Sequence, residues 1–265
     1  MSHEHTSFLF GFSSITIASA LFLIIIFCNE LCYRIGVLVQ ARTDDEVKAL
    51  TASVQVSILG LLALLIGFTF SMSMQRFDNR SMALIDEANA IGTAILRADL
   101  LPAEQQAAIK PVMQKYLQAR IEMSGVDLTL AEDRQAYSLR IAAIQAELWS
   151  LAIAASEADA RPATTGAFLN SLNELIDRQS KRSALLKAHV PEPILLLLLF
   201  VIVASISMMG YSSGLSNKRV FVPLALISFL ITLIVFIIID LDRPKRGLIT
   251  VDQSALVELL QKDTD

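Results

Sequence analysis

Ala49–Gln75 reads ALTASVQVSILGLLALLIGFTFSMSMQ, twenty-seven residues without one Asp, Glu, Lys or Arg. A helix needs roughly 20 such residues to cross about 30 Å of hydrocarbon. No water reaches the backbone there, so each N–H and C=O must be paired within the segment, and the block is expected to be a helix. Three more charge-free blocks satisfy the same test: Thr6–Asn29, Pro193–Asn217 and Val220–Ile239. The chain therefore reads as an all-α membrane protein with four transmembrane helices and a cytoplasmic helical domain inserted between spans 2 and 3. Residues 6–75 carry spans 1 and 2, 76–190 the helical domain, 191–240 spans 3 and 4, and 241–265 a cytoplasmic tail. The alternative is a set of buried core helices, and it fits four such blocks poorly.

Composition agrees. Hydrophobic residues are 54% of the chain and charged residues 18%, against about 45–50% and about 25% in soluble domains. The net charge of −4 comes with no long basic run, so nucleic acid is not an expected partner. The segment ahead of the first block, Met1–Thr6, has no Lys or Arg, unlike the start of a secretory signal, so this span is expected to be retained. Basic residues flanking the spans concentrate on the side of the middle segment, for example Arg76, Arg80, Arg178, Lys181 and Arg182, with Arg243, Lys245 and Arg246 after the last span. The other side has Arg34, Arg42, Lys48, Lys218 and Arg219. The bias places both termini and the middle domain in the cytoplasm.

The middle segment reads as four helices. Phe77, Leu84, Ala88, Ile91 and Ile95 share one face, and nothing breaks the chain between them and the second span, so one long helix is expected. Pro102 suits the start of the next, which contains Pro111 and ends near Gly125. Thr129 and Glu132 form a capping box ahead of a third. In it Tyr137, Ile141, Ile144, Leu148, Leu151 and Ala155 make a heptad-like stripe, suited to a bundle core or to packing between subunits. A fourth follows the Arg161-Pro162 break and ends on Lys181-Arg182. Gly247–Val251 is the one weak strand candidate.

Chemistry is sparse. Cys28 and Cys32 lie one turn apart but lack the partners a metal site needs. His3 and His5 read as a terminal pair and His189 as a boundary residue. No nucleophile elbow, phosphate loop, dinucleotide fingerprint or zinc-helix motif occurs, so no catalytic residues, metal ligands or cofactor are expected and the chain does not read as an enzyme. The spans contain no ionisable residue, which argues against proton-driven transport and leaves a passive pore, an anchor or a scaffold. On the second span Ser53, Ser57, Gly60, Leu64, Gly67, Ser71 and Gln75 follow one another at helical spacing. Such a small and polar stripe serves either close helix packing or a pore wall, with Leu64 and Phe68 as an apolar constriction.

LGLLALLIGF (Leu59–Phe68), QRFDNR (Gln75–Arg80), EANAIG (Glu87–Gly92), LRADLLP (Leu96–Pro102) and DLDRPKRG (Asp240–Gly247) resemble the bacterial bestrophin-like domain family. The likeness covers most of the chain in layout. The onward link to true bestrophins rests chiefly on the Gly67-Phe68 pair and on Arg76-Phe77. That resemblance implies a homo-oligomeric ion channel in the bacterial inner membrane, passing monovalent ions through an apolar neck ringed by second helices. The neck positions fall on Phe68, Leu64 and Gly60, and Gly60 leaves its level wide. Eukaryotic bestrophins carry an acidic calcium clasp after the last span. Here only Asp240 and Asp242 stand there, followed by Arg243, so calcium gating is not expected. The rival reading is a non-conducting, membrane-anchored helical scaffold or sensor.

Overall fold

The computed structural model describes residues 12–125, 131–243 and 247–264. Their regular structure is helical: α1 Ser14–Val39, α2 Asp45–Ala98, α3 Ala103–Gly125, α4 Ala131–Ala158, α5 Ala167–Lys187, α6 Glu192–Leu215, α7 Phe221–Leu241 and α8 Ser254–Thr264. A 3-10 turn, Gln40–Arg42, joins α1 to α2, and a π-helical turn, Pro162–Gly166, leads into α5. No strand occurs among the described residues. Gly247–Val251 corrects the strand expectation: it runs as a bend, and the Ile249 N–H donates to Asp240 Oδ2 at 2.8 Å instead of to a neighbouring strand. Thr129 of the expected capping box, with His3 and His5, lies outside the described residues.

The expected long helix is present. α2 runs for 54 residues without a proline, roughly 80 Å at about 1.5 Å per residue. Asp45 and Glu46 in its first turn complement the positive end of the helix dipole. Pro102 falls just ahead of α3, and its carbonyl accepts from the Gln106 N–H at 3.0 Å.

The chain forms two compact units, residues 1–76 with 189–249, and 77–188 with 250–265. Five helices are long and apolar enough to cross a membrane by length and composition: Ser14–Arg42, Asp45–Ala98, Gln135–Ala158, Pro162–Leu215 and Phe221–Leu241.

In the first unit α1 lies against α6 and α7 around Leu21, Ile25, Leu198, Ile202, Ile206, Val235 and Ile238. Glycine sets the α1–α6 approach. A Cβ on Gly36 would collide with the Tyr211 carbonyl oxygen and stand 3.0 Å from Gly214 Cα, and one on Gly214 would collide with the Tyr33 carbonyl oxygen. Gly210 meets the Asn29 backbone in the same way. Asn29 Nδ2 also donates to the Ile206 carbonyl at 3.0 Å, a polar tie inside an apolar contact. Gly210 and Gly214 are a Gly-x-x-x-Gly pair, the spacing that puts two backbones in contact in lipid.

In the second unit Ile91, Ala94, Ile109, Met113, Leu117, Ile144, Leu148, Phe168, Leu172 and Leu256 form one buried core. The heptad-like stripe of α4 is largely inside it: Ile141, Ile144, Leu148 and Ala155 are buried, while Tyr137 and Leu151 are half-buried. α8 belongs to this unit. Leu256 is fully buried, and Leu259 Cδ1 lies 3.2 Å from where a Cβ on Gly92 would stand.

Candidate functional site

α2 has two faces of opposite character. Thr51, Leu62, Thr69 and Ser73 are its buried residues in the span. Thr69 and Thr51 satisfy their hydroxyls within the helix, donating to Leu65 O at 2.7 Å and Val47 O at 2.8 Å. That is how an apolar environment tolerates threonine.

The other face is uncovered by its own chain. Ser53, Ser57, Gly60, Leu64, Gly67, Ser71 and Gln75 are all exposed. Leu64 retains 60% of its accessible surface and Phe68 68%. A Cβ added at Gly60 or at Gly67 would meet nothing within 4 Å. The stripe therefore makes no close helix contact within the described residues of this chain. Close approach through glycine falls instead on Gly36, Gly210 and Gly214, and the Gly210/Gly214 spacing was the signal in the sequence for it. Ser57 Oγ donates to the Ser53 carbonyl at 3.1 Å, so this hydroxyl is satisfied yet still offers an acceptor to the surroundings.

Several polar residues of the other family-like motifs hold structure. From QRFDNR, Arg80 is buried, and its Nη2 and Nε donate to the carbonyls of Ala188 (2.6 Å) and Leu185 (3.3 Å) at the end of α5. Carbonyls left over at a helix C-terminus are a natural seat for a guanidinium. From EANAIG, Glu87 is fully buried between two arginines. Arg120 Nε donates to Oε1 at 2.5 Å, Arg120 Nη2 to Oε2 at 2.9 Å and Arg182 Nη1 to Oε2 at 2.7 Å. Burial pushes the Glu87 carboxyl up, but the two guanidiniums outweigh it and hold it below the usual carboxylate range. Burial lowers Arg182, whereas for Arg120 the Glu87 charge wins over burial and raises it. Arg182 Nη2 continues the network to Gln253 Oε1 at 3.1 Å, just ahead of α8.

From DLDRPKRG, Asp240 and Asp242 are buried at the end of α7. Asp242 accepts the Val190 N–H on both oxygens, at 3.1 and 3.0 Å, and its carbonyl lies 3.2 Å from His189 Nδ1. Arg243 Nη1 donates to the Phe12 carbonyl. Gly247 approaches Asp240 so closely that a Cβ there would lie 2.8 Å from its backbone and side-chain oxygens. These carboxylates organise a chain corner through backbone amides. Cys28 and Cys32 are free and half-buried. Among the described residues no group of three or more His, Cys, Asp or Glu is placed to hold a metal ion.

The arrangement matches a known class. The fold is that of bacterial bestrophin homologs. A point variant of the Klebsiella pneumoniae homolog superposes with a TM-score of 0.67 at 16% identity, covering 92% of this chain and 97% of that one. The same homolog solved by Zn-SAD phasing gives 0.64 at 17% identity, with 91% and 96% covered. A crystal structure described only as a membrane protein gives 0.63 at 18%, with 92% and 97% covered. The Bestrophin-like domain family model matches residues 22–256, and the chain belongs to that family. No curated protein matches it.

Proposed function

We propose that several copies of this chain set their α2 spans around a common axis in the bacterial inner membrane and conduct small ions passively. Leu64 and Phe68 form the constriction, and Gly60 leaves its own level wide. α1, the first part of α2, α6 and α7 are the four spans. The helical unit and both termini are cytoplasmic. α4 is apolar enough to be a fifth span, but Ile144 and Leu148 are buried in the core of the helical unit, which favours a place in that unit.

The observation that carries this reading is the uncovered stripe. Gly60 and Gly67 face open space, and Ser53, Ser57, Ser71 and Gln75 are exposed beside them. Facing lipid, the Gln75 amide and the hydroxyls of Ser53 and Ser71 would lose hydrogen bonds to water without replacement, at a cost of roughly 1–3 kcal/mol per unpaired group. Facing a wet axis shared with other copies, they lose nothing. The apolar ring at Leu64 and Phe68 then gates by its narrowness and by dewetting.

Purified protein in liposomes tests this. The wild type should pass monovalent ions, and Phe68→Ala should raise the flux. Particles in detergent should show rotational symmetry with α2 innermost. A monodisperse sample whose particles carry no solvent-filled axis, and whose liposomes stay tight, would sink the channel reading.

One observation favours the scaffold reading. α4 keeps a second apolar face, with Leu139, Trp149 and Ile153 exposed alongside Ala143 and Ala146. This face suits a helical partner. It serves equally as the contact between subunits of a channel.

A further inference from the structure

The start of α1 holds polar groups that the chain itself does not use up. An α-helix leaves its first N–H groups without internal partners. Ser13 caps α1, and its Oγ accepts from the Thr16 N–H at 3.1 Å. That leaves the N–H groups of Ser14 and Ile15 to an acceptor from outside the helix. Ser14 lies on the buried face of α1 with Ala18 and Leu21. It is 4% exposed, and its Oγ is buried with no hydrogen-bond partner among the described residues. Arg243 brings positive charge to the same place, its Nη1 donating to the Phe12 carbonyl just ahead of the cap.

A narrow apolar crevice adjoins them. Ile17 of α1, Leu195 and Leu199 of α6, and Val235 and Ile239 of α7 line it together with Arg243. Ile17 is one turn on from Ser14. Arg243 thus serves both parts: its methylene stem lies among aliphatic neighbours, and its guanidinium reaches the start of α1. All these residues belong to the first unit, at the end where α1 and α6 begin and α7 stops. Asp240 and Asp242 precede Arg243, but each is engaged with a backbone N–H, that of Ile249 or of Val190. A water would answer the Ser14 hydroxyl, yet it would have no use for the crevice.

We propose that this end of the first unit is a phospholipid site. A phosphate accepts from the Ser14 hydroxyl, the first-turn N–H groups and Arg243, and an acyl chain enters the crevice between α1, α6 and α7. A phosphate at a helix N-terminus meets unsatisfied donors and the positive end of the helix dipole. The aliphatic lining gives the chain the dispersion contacts that an empty crevice forgoes. The start of α1 stands at a membrane boundary in the span assignment proposed above. The inference rests on that assignment and not on conduction.

The test is the melting temperature of the full chain, stripped of lipid in detergent. Dioctanoyl phosphatidylglycerol should raise it by at least about 3 °C. Inorganic phosphate, which lacks the chains, and dioctanoylglycerol, which lacks the phosphate, should each give less than about half of that shift. Ser14→Ala removes only an unpaired hydroxyl, so the lipid-free variant should melt no lower than wild type. Its response to phosphatidylglycerol should nonetheless fall by at least about twofold. Leu199→Trp, which fills the crevice, should blunt the response in the same way. A shift that survives both changes in full overturns the inference. So does one that inorganic phosphate alone reproduces, which would make the site one for a free anion. Protein that stays folded and monodisperse without detergent overturns the span assignment, and this inference with it. A detergent-bound protein indifferent to phospholipid overturns this inference alone.

Discussion

Glu87 and Arg120 meet through two parallel hydrogen bonds, Nε to Oε1 at 2.5 Å and Nη2 to Oε2 at 2.9 Å, with side chains 0% and 1% exposed. They are separated by 33 residues of chain. Arg182, from a third helix, shares the same carboxylate. The triad fastens α2, α3 and α5 of the helical unit at one buried point.

Removing the anion should be costly. Glu87→Gln leaves two guanidiniums buried beside a neutral amide, and breaking a buried pair in this way costs about 3–5 kcal/mol. The apparent melting temperature in detergent should fall markedly. Acid should act on the same group. Glu87 is held below its ordinary value in the fold. An unfolded chain therefore binds the proton first as pH drops, so the stabilisation is complete above the ordinary carboxylate range and is lost as pH falls through the folded value. Glu87→Gln should flatten that part of the stability curve, and an acid limb of unchanged shape would remove the triad from the explanation.

Glycines on two helices of the membrane unit should respond in opposite ways. Gly214→Ala puts a methyl against the Tyr33 carbonyl and Gly36. Overpacking of this kind costs about 1–3 kcal/mol. Gly60→Ala meets nothing within the chain, and the better helix propensity of Ala favours the fold by up to about 1 kcal/mol. Thermal unfolding monitored by size exclusion should rank Gly214→Ala below wild type, with Gly60→Ala no lower than wild type. The reverse ranking would mean that α2, not α1–α6, carries the close packing.

The corner after α7 depends on an acceptor. Asp242 takes the buried Val190 N–H on both oxygens. Asp242→Ala strands that donor and should cost about 1–3 kcal/mol. Asp242→Asn keeps one oxygen and should lose less. Equal losses in a chemical denaturation series would show that the charge, not the acceptor, is what matters.

The end of α5 depends on a donor. Arg80→Met takes the guanidinium from the Ala188 carbonyl and leaves the Leu185 carbonyl only the Ala188 N–H, again about 1–3 kcal/mol for a buried group left unpaired. Hydrogen exchange should accelerate over the last turn of α5. Arg80→Lys retains a charge at the helix end and should restore part of the protection.

Local sequence was enough for the apolar helices, for α2 as one unbroken rod and for the family motifs. Hydrocarbon length, periodicity and the absence of proline all act within one segment. The charge-free blocks correspond to α1, the span of α2, α6 and α7, with Thr6–Gly11 of the first block outside the described residues. The stripe Ser53–Gln75 was equally visible as a spacing, but its two meanings were not separable there. A small residue that admits a neighbouring backbone and one that lines an open face obey the same spacing.

Only the packing shows which small residues meet a backbone of the same chain. Gly36 and Gly214 stand on helices far apart in the chain and must share a register before their backbones can touch, a condition that no single helix encodes. Gly60 and Gly67 lack such a partner within the fold. The same physics explains Glu87. Its burial reads from sequence as one more carboxylate on an amphipathic helix, and becomes a fastening because Arg120 and Arg182 converge on it from elements 33 and 95 residues away.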